Sequence, residues 1–132
     1  MIGLDTNVLV RYLTQDDPVQ SAQANLFIEQ QLSAADPGII GHIVLCEVSW
    51  VLSRAYAYTR EQVAGALGAI LTCREFQVES PDLGILALQD YRQGSADFSD
   101  YLLGRAHQRL GARKTATFDR KAAQGAQFML LS

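Results

Sequence analysis

Short apolar segments alternate with helical patterns along the chain, and this alternation constrains its fold more than any other feature. Residues 2–4 form the first apolar segment, and a helical pattern follows directly at 5–13. Further segments typical of strands lie at 38–41, 76–78, 114–118 and 127–131. Strands separated by helices favour a parallel sheet covered by helices. We therefore expect an α/β fold with three layers, α/β/α, around a mainly parallel sheet of four to five strands.

Capping residues predict where several helices begin. Asp17 directly precedes Pro18, a pair typical of an N-cap followed by the first helical position. Thr59 and Gln62 have the spacing of a capping box, and Asp97 suits the N-cap of a later helix. We expect helices to begin at these three points.

The composition is that of a globular protein. The chain has 132 residues, 48% of them hydrophobic and 19% charged, so we expect one domain covering residues 1–132. Asp5 interrupts the first apolar segment, and no apolar stretch is long enough to span a bilayer. These features predict a cytoplasmic protein without a membrane partner.

Charge is unevenly distributed along the chain. The formal net charge of −3 gives no overall basic signature for nucleic acid. Basic residues nevertheless gather near the C-terminus, at Arg105, Arg109, Arg113, Lys114, Arg120 and Lys121. They could bind the phosphates of a nucleic acid, or they could form an ordinary solvated surface.

Several acidic residues fall where a predicted strand passes into a helix. Asp5 follows the first strand, and Glu47 lies one turn inside the helix after the second strand. Asp97 and Asp100 open a later helix, and Asp119 follows the strand at 114–118. Because the carboxyl ends of parallel strands lie at one edge of a sheet, we expect these acids to converge there.

A convergence of acids would favour a bound cation. Close carboxylates repel one another and resist ionising together. Hard oxygen ligands suit Mg²⁺ or Mn²⁺ rather than zinc. Each acid also has a structural alternative, because Asp5, Asp97 and Asp119 could cap helices and Asp100 could interact with a helix dipole.

Glu47 is the hardest of these acids to explain structurally. It lies within the largely apolar segment 43–52, where a carboxylate is costly unless it is paired or bound to metal. Arg11 or Arg54 could be its partner. We therefore expect either a basic residue or a metal ion beside Glu47.

Four stretches resemble the acidic motifs of a known nuclease family. They are residues 4–9 (LDTNVL), 44–52 (VLCEVSWVL), 96–102 (ADFSDYL) and 116–119 (ATFD), and they occur in the family's order. On these motifs the chain resembles the PIN-domain ribonucleases, specifically the VapC toxins of bacterial VapBC toxin–antitoxin pairs. The resemblance implies a PIN-like fold and a Mg²⁺- or Mn²⁺-dependent endoribonuclease.

The resemblance also implies roles for particular residues. The catalytic and metal-binding acids would be Asp5, Glu47, Asp100 and Asp119. Asp97 would be a neighbouring acid or a cap. Supporting polar groups that hydrogen-bond the acids or water would be Thr6, Asn7 and Thr117.

The implied biology is inhibition of translation by cutting tRNA or rRNA. By the same resemblance we expect a homodimer and a cognate VapB-type antitoxin. Two other functions remain open: an RNA- or protein-binding module that has lost catalysis, and a Mg²⁺-dependent phosphatase. Phosphatases of the haloacid-dehalogenase type also begin with an aspartate after the first strand, and they use a second aspartate two residues later as the acid or base. The chain has Asn7 at that position, which cannot do this work, so the phosphatase is disfavoured.

Overall fold

The expected alternation of strands and helices extends over the whole chain. A computed structural model describes all 132 residues as an α/β protein with six α-helices and five short strands. By internal contacts the chain divides into two compact units, residues 1–81 and 82–132. Each unit has its own parallel sheet.

The N-terminal unit is built on three parallel strands. They are β1 (Ile2–Gly3), β2 (Gly38–Ile40) and β3 (Phe76–Val78), with β2 in the middle. The helices of this unit are α1 (Thr6–Thr14), α2 (Pro18–Leu26), α3 (His42–Ala55) and α4 (Arg60–Thr72). A π-helical turn, Phe27–Gln31, continues α2.

Side chains at helical spacing form the core of this unit. Leu45, Val48 and Leu52 on α3 are fully buried, and so is Leu9 on α1. Burying such a side chain contributes roughly 1.5–3 kcal/mol. α1 contacts α2 and α3, and α3 also contacts α4. This packing holds α1 beside α3 and so positions the polar residues on these two helices.

The C-terminal unit consists of two helices and two strands. They are α5 (Pro81–Gln93), α6 (Phe98–Arg109), β4 (Thr115–Thr117) and β5 (Phe128–Leu130), and β4 pairs with β5 in parallel. A 3₁₀ turn, Ala122–Gln124, lies between the strands. Tyr91 on α5 meets Phe98 edge to face, with ring centroids 6.2 Å apart.

The predicted helix starts are confirmed. Asp17 Oδ1 accepts two backbone N–H bonds, and Pro18 is the first residue of α2. Thr59 and Gln62 form the expected capping box at α4. α6 begins directly after Asp97. Local hydrogen bonding therefore sets these boundaries, as expected from the sequence.

The grouping of the strands differs from the expectation. All pairs are parallel, as predicted, but the strands form sheets of three and two rather than one sheet of four to five. Alternating strands and helices determine strand direction without specifying which strands are neighbours. With two or three residues each, these strands carry little further pattern that could select a partner.

Two helical glycines should respond to alanine in opposite ways. A Cβ at Gly104 of α6 would lie 2.8 Å from Phe128 Cε2, so Gly104→Ala should lower the free energy of unfolding by about 1–3 kcal/mol. A Cβ at Gly65 of α4 meets nothing within 4 Å, so Gly65→Ala should raise it by up to about 1 kcal/mol. Urea unfolding of both variants measures the difference. Equal effects of the two substitutions would contradict the packing of Phe128 on α6.

Candidate functional site

Asp5 begins α1 at the end of the first strand. Leu4 N–H donates to the Ile39 carbonyl over 2.9 Å, which keeps the chain beside β2 up to this point. Asp5 is the N-cap of α1, and its Oδ1 accepts a hydrogen bond of 2.8 Å from the backbone N–H of Thr6. The carboxylate is exposed. The predicted capping role of Asp5 is thus present, and its side chain remains accessible to a ligand.

Thr6 connects Asp5 to Glu47. Its side chain is buried, and its Oγ1 donates to Glu47 Oε1 over 3.0 Å. The bond runs from the first residue of α1 to the second turn of α3. Two predicted acids and one predicted supporting residue are therefore brought together within the N-terminal unit.

The surroundings of Glu47 differ from the expectation. Leu45 and Val48 point into the core, whereas Glu47 lies on the exposed side of α3. The expectation of a basic partner fails, because Arg11 bonds to Asp16, Gln20 and Tyr56, and Arg54 lies 5.8 Å from the Trp50 ring centroid. The expected burial cost is absent because α3 buries only one side of a segment that looks apolar throughout.

Asp100 is the most perturbed of the predicted acids. It is half-buried at the third position of α6, and its Oδ2 accepts a hydrogen bond of 3.2 Å from the backbone N–H of Asp97. Burial is the main cause that raises the pKa of Asp100 above its ordinary value, and the charges of Asp119 and Asp97 raise it further. The hydrogen bond from Asp97 acts in the opposite direction. These three acids are therefore electrostatically coupled within the C-terminal unit.

Asp119 organises the turn after β4. Its Oδ1 accepts from the backbone N–H groups of Lys121 and Ala122, over 2.8 and 3.1 Å. Its own backbone N–H donates to Thr117 Oγ1 over 3.0 Å. The capping alternative for Asp119 is thus present, and Thr117 contacts the backbone of the acid that it was expected to support.

The chemistry of these acids suits a hard divalent cation. None of the five predicted acids forms a salt bridge; the ion pairs of the chain use other carboxylates, namely Asp36, Asp16, Asp90 and Asp82. Oxygen donors without a cationic partner are the ligands that Mg²⁺ and Mn²⁺ prefer. Within either unit, however, no group of three or more acidic, histidine or cysteine side chains is arranged to hold a metal ion.

The six predicted RNA-binding residues fall into three groups. Arg105 and Arg109 on α6 pair with Asp90 and Asp82 on α5, so their charges are largely neutralised. Lys114 Nζ donates to a backbone carbonyl over 2.5 Å. The remaining exposed basic residues without a salt bridge are Arg113, Arg120 and Lys121. Two of these directly follow Asp119.

Glu79 is a polar residue of this region that the sequence analysis missed. It follows β3, and its Oε1 accepts a hydrogen bond of 2.8 Å from the backbone N–H of His42, the first residue of α3. The two edge strands of the N-terminal sheet, β1 and β3, are therefore each followed by a carboxylate that caps a helix. The signal was present, because Glu79 also stands at a predicted passage from strand to helix.

Removing the charge of Asp100 should stabilise the metal-free protein at neutral pH. A raised pKa means that the folded state holds this proton more tightly than the unfolded state, so stability falls as pH rises above the ordinary value of 3.8. Asp100→Asn avoids that loss and keeps an acceptor for the Asp97 N–H. In EDTA, its unfolding free energy should exceed that of the wild type at pH 7, and the gain should shrink at pH 3. A gain that is equal at both pH values would contradict the electrostatic cause.

None of the helices combines the length and apolar character that a membrane span requires.

Comparison with known proteins gives no match for this chain: no family model, no curated protein and no solved structure is similar to it. The candidate site therefore rests on the chain's own residues, with Asp5 and Glu47 joined by Thr6 in one unit and Asp97, Asp100 and Asp119 coupled in the other.

Proposed function

We propose that this protein is a metal-dependent endoribonuclease of the PIN type, the VapC-like toxin of a toxin–antitoxin pair. The observation that carries the proposal is the state of Asp100. It is a half-buried carboxylate whose pKa is raised by burial and by two neighbouring acids, and it has no basic partner. An arrangement of this kind costs stability and is typical of functional sites. The four motifs in family order support the same assignment.

The proposal gives a metal-binding role to two carboxylates of the N-terminal unit, Asp5 and Glu47, and to two of the C-terminal unit, Asp100 and Asp119. When bound, Mg²⁺ or Mn²⁺ lowers the pKa of water and neutralises charge on the phosphate oxygens of a phosphodiester. The finer fold, a PIN-like three-layer domain, belongs to the same proposal. The proposal also includes a cytoplasmic location, because the proposed RNA substrate is found there.

Other residues of the chain orient these acids. The Thr6 hydroxyl fixes one oxygen of Glu47, and the Asp97 N–H fixes one oxygen of Asp100. Thr117 holds the backbone of Asp119.

Exposed basic residues give the RNA backbone a place to bind. Arg120 and Lys121 follow Asp119 directly, and Arg113 precedes β4. Since Arg105 and Arg109 are neutralised by α5, these three residues have the charge that phosphate binding requires. We propose that they carry most of the electrostatic attraction for RNA.

Exposed apolar side chains support a protein partner. Ile43 and Trp50 lie seven residues apart on α3 and are 77% and 36% exposed, and Val19 and Leu26 have the same spacing on α2. Residues at this spacing share one face of a helix, and exposed apolar faces mark interaction sites. We propose that such surfaces serve a homodimer and a VapB-type antitoxin.

One observation favours a second function, a binding module without catalysis. No group of three or more acidic side chains within either unit is arranged to hold a metal ion. A chain with this limitation could still bind RNA through Arg113, Arg120 and Lys121. The two functions differ in their metal requirement, which the following experiment measures.

Purified protein should cleave cellular RNA in the presence of Mg²⁺ or Mn²⁺, and EDTA should abolish cleavage. Asp5→Asn should reduce the rate at least about a hundredfold, because even a residue that only supports a metal ligand is worth about 10- to 100-fold. Asparagine is as good an N-cap as aspartate, so α1 should keep its start. Rates are measured on labelled RNA.

A matched control separates the site from general charge effects. Glu61 is an exposed glutamate on α4, as Glu47 is on α3, and Glu61→Gln should leave cleavage unchanged while Glu47→Gln lowers it. Cleavage that survives both EDTA and Asp5→Asn would exclude the metal mechanism. RNA binding without cleavage of any cellular RNA would favour the binding module.

Expression of the protein alone should arrest bacterial growth, since cutting tRNA or rRNA stops translation. Asp100→Asn should relieve the arrest at equal protein level, because it removes a proposed catalytic charge and preserves the hydrogen bond to Asp97. Growth curves with quantified expression provide the measurement. Normal growth with the wild type at verified levels would argue against a toxin.

A further inference from the structure

A polar cavity lies within the C-terminal unit, apart from the predicted acids. Its volume is about 410 Å³, and the residues that line it include Gln93, Gln124, Gln127, Tyr101 and the ion-paired Arg105 and Asp90. Sites for small organic molecules have volumes of about 300–1,000 Å³. No sequence pattern indicates this cavity, because isolated glutamines are most often surface residues.

The cavity offers hydrogen bonds to a ligand without net charge. Gln124 Oε1 accepts only a long bond of 3.5 Å from Ser95, and the side-chain amides of Gln93 and Gln127 make no hydrogen bond within the protein. Each amide has a donor and an acceptor side by side. Such pairs match the edges of nucleobases, as in the bidentate contact of glutamine with adenine.

The ion pair disfavours a phosphate and favours a flat group. Arg105 donates from Nε and Nη2 to both oxygens of Asp90, over 2.7 and 2.8 Å, so its charge is balanced and its plane is fixed. The two bonds leave Nη1 outside the ion pair. In RNA recognition, unstacked bases stack on arginine planes and hydrogen-bond through their edges.

Chain connections place this cavity beside two of the predicted acids. Ser95, whose hydroxyl contacts Gln124, lies two residues before Asp97. Asp119 caps the 3₁₀ turn that ends at Gln124, and a turn of three residues is about 6 Å long. A nucleotide in the cavity would therefore lie close to the acids of the C-terminal unit.

We propose that this cavity binds one unstacked nucleobase of the RNA and so selects the sequence that is cleaved. The cleavage step rests on the proposed function, but binding of the base can be measured without it. The amides of Gln93, Gln124 and Gln127 would bind the edge of the base, and the guanidinium of Arg105 would lie against its face.

Binding can be tested on the full chain by NMR. The probes are the four nucleoside 5′-monophosphates, with ribose 5-phosphate as the control that lacks a base. Shifts of the side-chain amide signals of Gln93, Gln124 and Gln127 with one or two nucleotides, but not with ribose 5-phosphate, are expected. Gln108, exposed on α6 and outside the cavity wall, is the matched reference signal. Equal shifts with ribose 5-phosphate, or no shifts at all, would overturn the proposal.

Sequence preference provides the second measurement. On an RNA library with randomised positions, Gln127→Ala should weaken the preference for one base at one position about tenfold, whereas Gln108→Ala should not change it. Cleavage with an unchanged preference would overturn the base site and leave the nuclease intact. Base-specific NMR shifts without cleavage of any RNA would support the base site and remove the nuclease. If base-specific shifts and cleavage are both absent, both proposals are wrong.

Discussion

The unpaired N–H groups at the start of each helix require an acceptor, and in this protein carboxylates supply many of them. Asp5 caps α1, Asp17 caps α2, Glu79 caps α3, and Asp119 caps the 3₁₀ turn. Because helices follow strands directly, capping brings acids to the ends of strands. The acids of the candidate site thus have a structural reason to be where they are, and a carboxylate has a second oxygen available for a ligand.

Two acids have features that capping does not explain. Asp100 lies inside the first turn of α6 among like charges, which raises its pKa, and Glu47 lies on an exposed face of α3 with Thr6 as its partner. Asp100 also accepts the backbone N–H of Asp97 as the N3 residue of a capping box, so part of its role is to start α6. Glu47 takes no part in starting a helix, and it therefore carries more weight for function than Asp5 or Asp119 on structural grounds.

The pairing of other charges shapes the surface of the C-terminal unit. Arg105 and Arg109 bind Asp90 and Asp82, which ties α6 to α5 and removes two arginines from the basic group predicted by the sequence. The same pairing fixes the plane of Arg105 in the wall of the polar cavity. One contact thus serves stability and, by our proposal, recognition of a base.

Local patterns in the sequence were sufficient to predict the helices and strands, their order along the chain and the residues that cap the helices. The signals at Asp17, Thr59 and Asp97 depend on neighbouring residues alone, and the structure confirms each helix start. The position of acids at the ends of predicted strands could likewise be read from the sequence. This holds for Glu79 too, although it was not among the predicted site residues. By contrast, the expected burial of Glu47 was wrong, because an apolar segment does not reveal which side of its helix faces the core.

The sequence by itself determined that this is an α/β protein with parallel strands and carboxylates where strands pass into helices, since periodicity and capping act over a few residues. Only the tertiary structure decided the grouping of strands into two sheets, the bond from Thr6 to Glu47, the neutralisation of Arg105 and the polar cavity. These features join residues that are distant in sequence, so they depend on packing that no local pattern specifies.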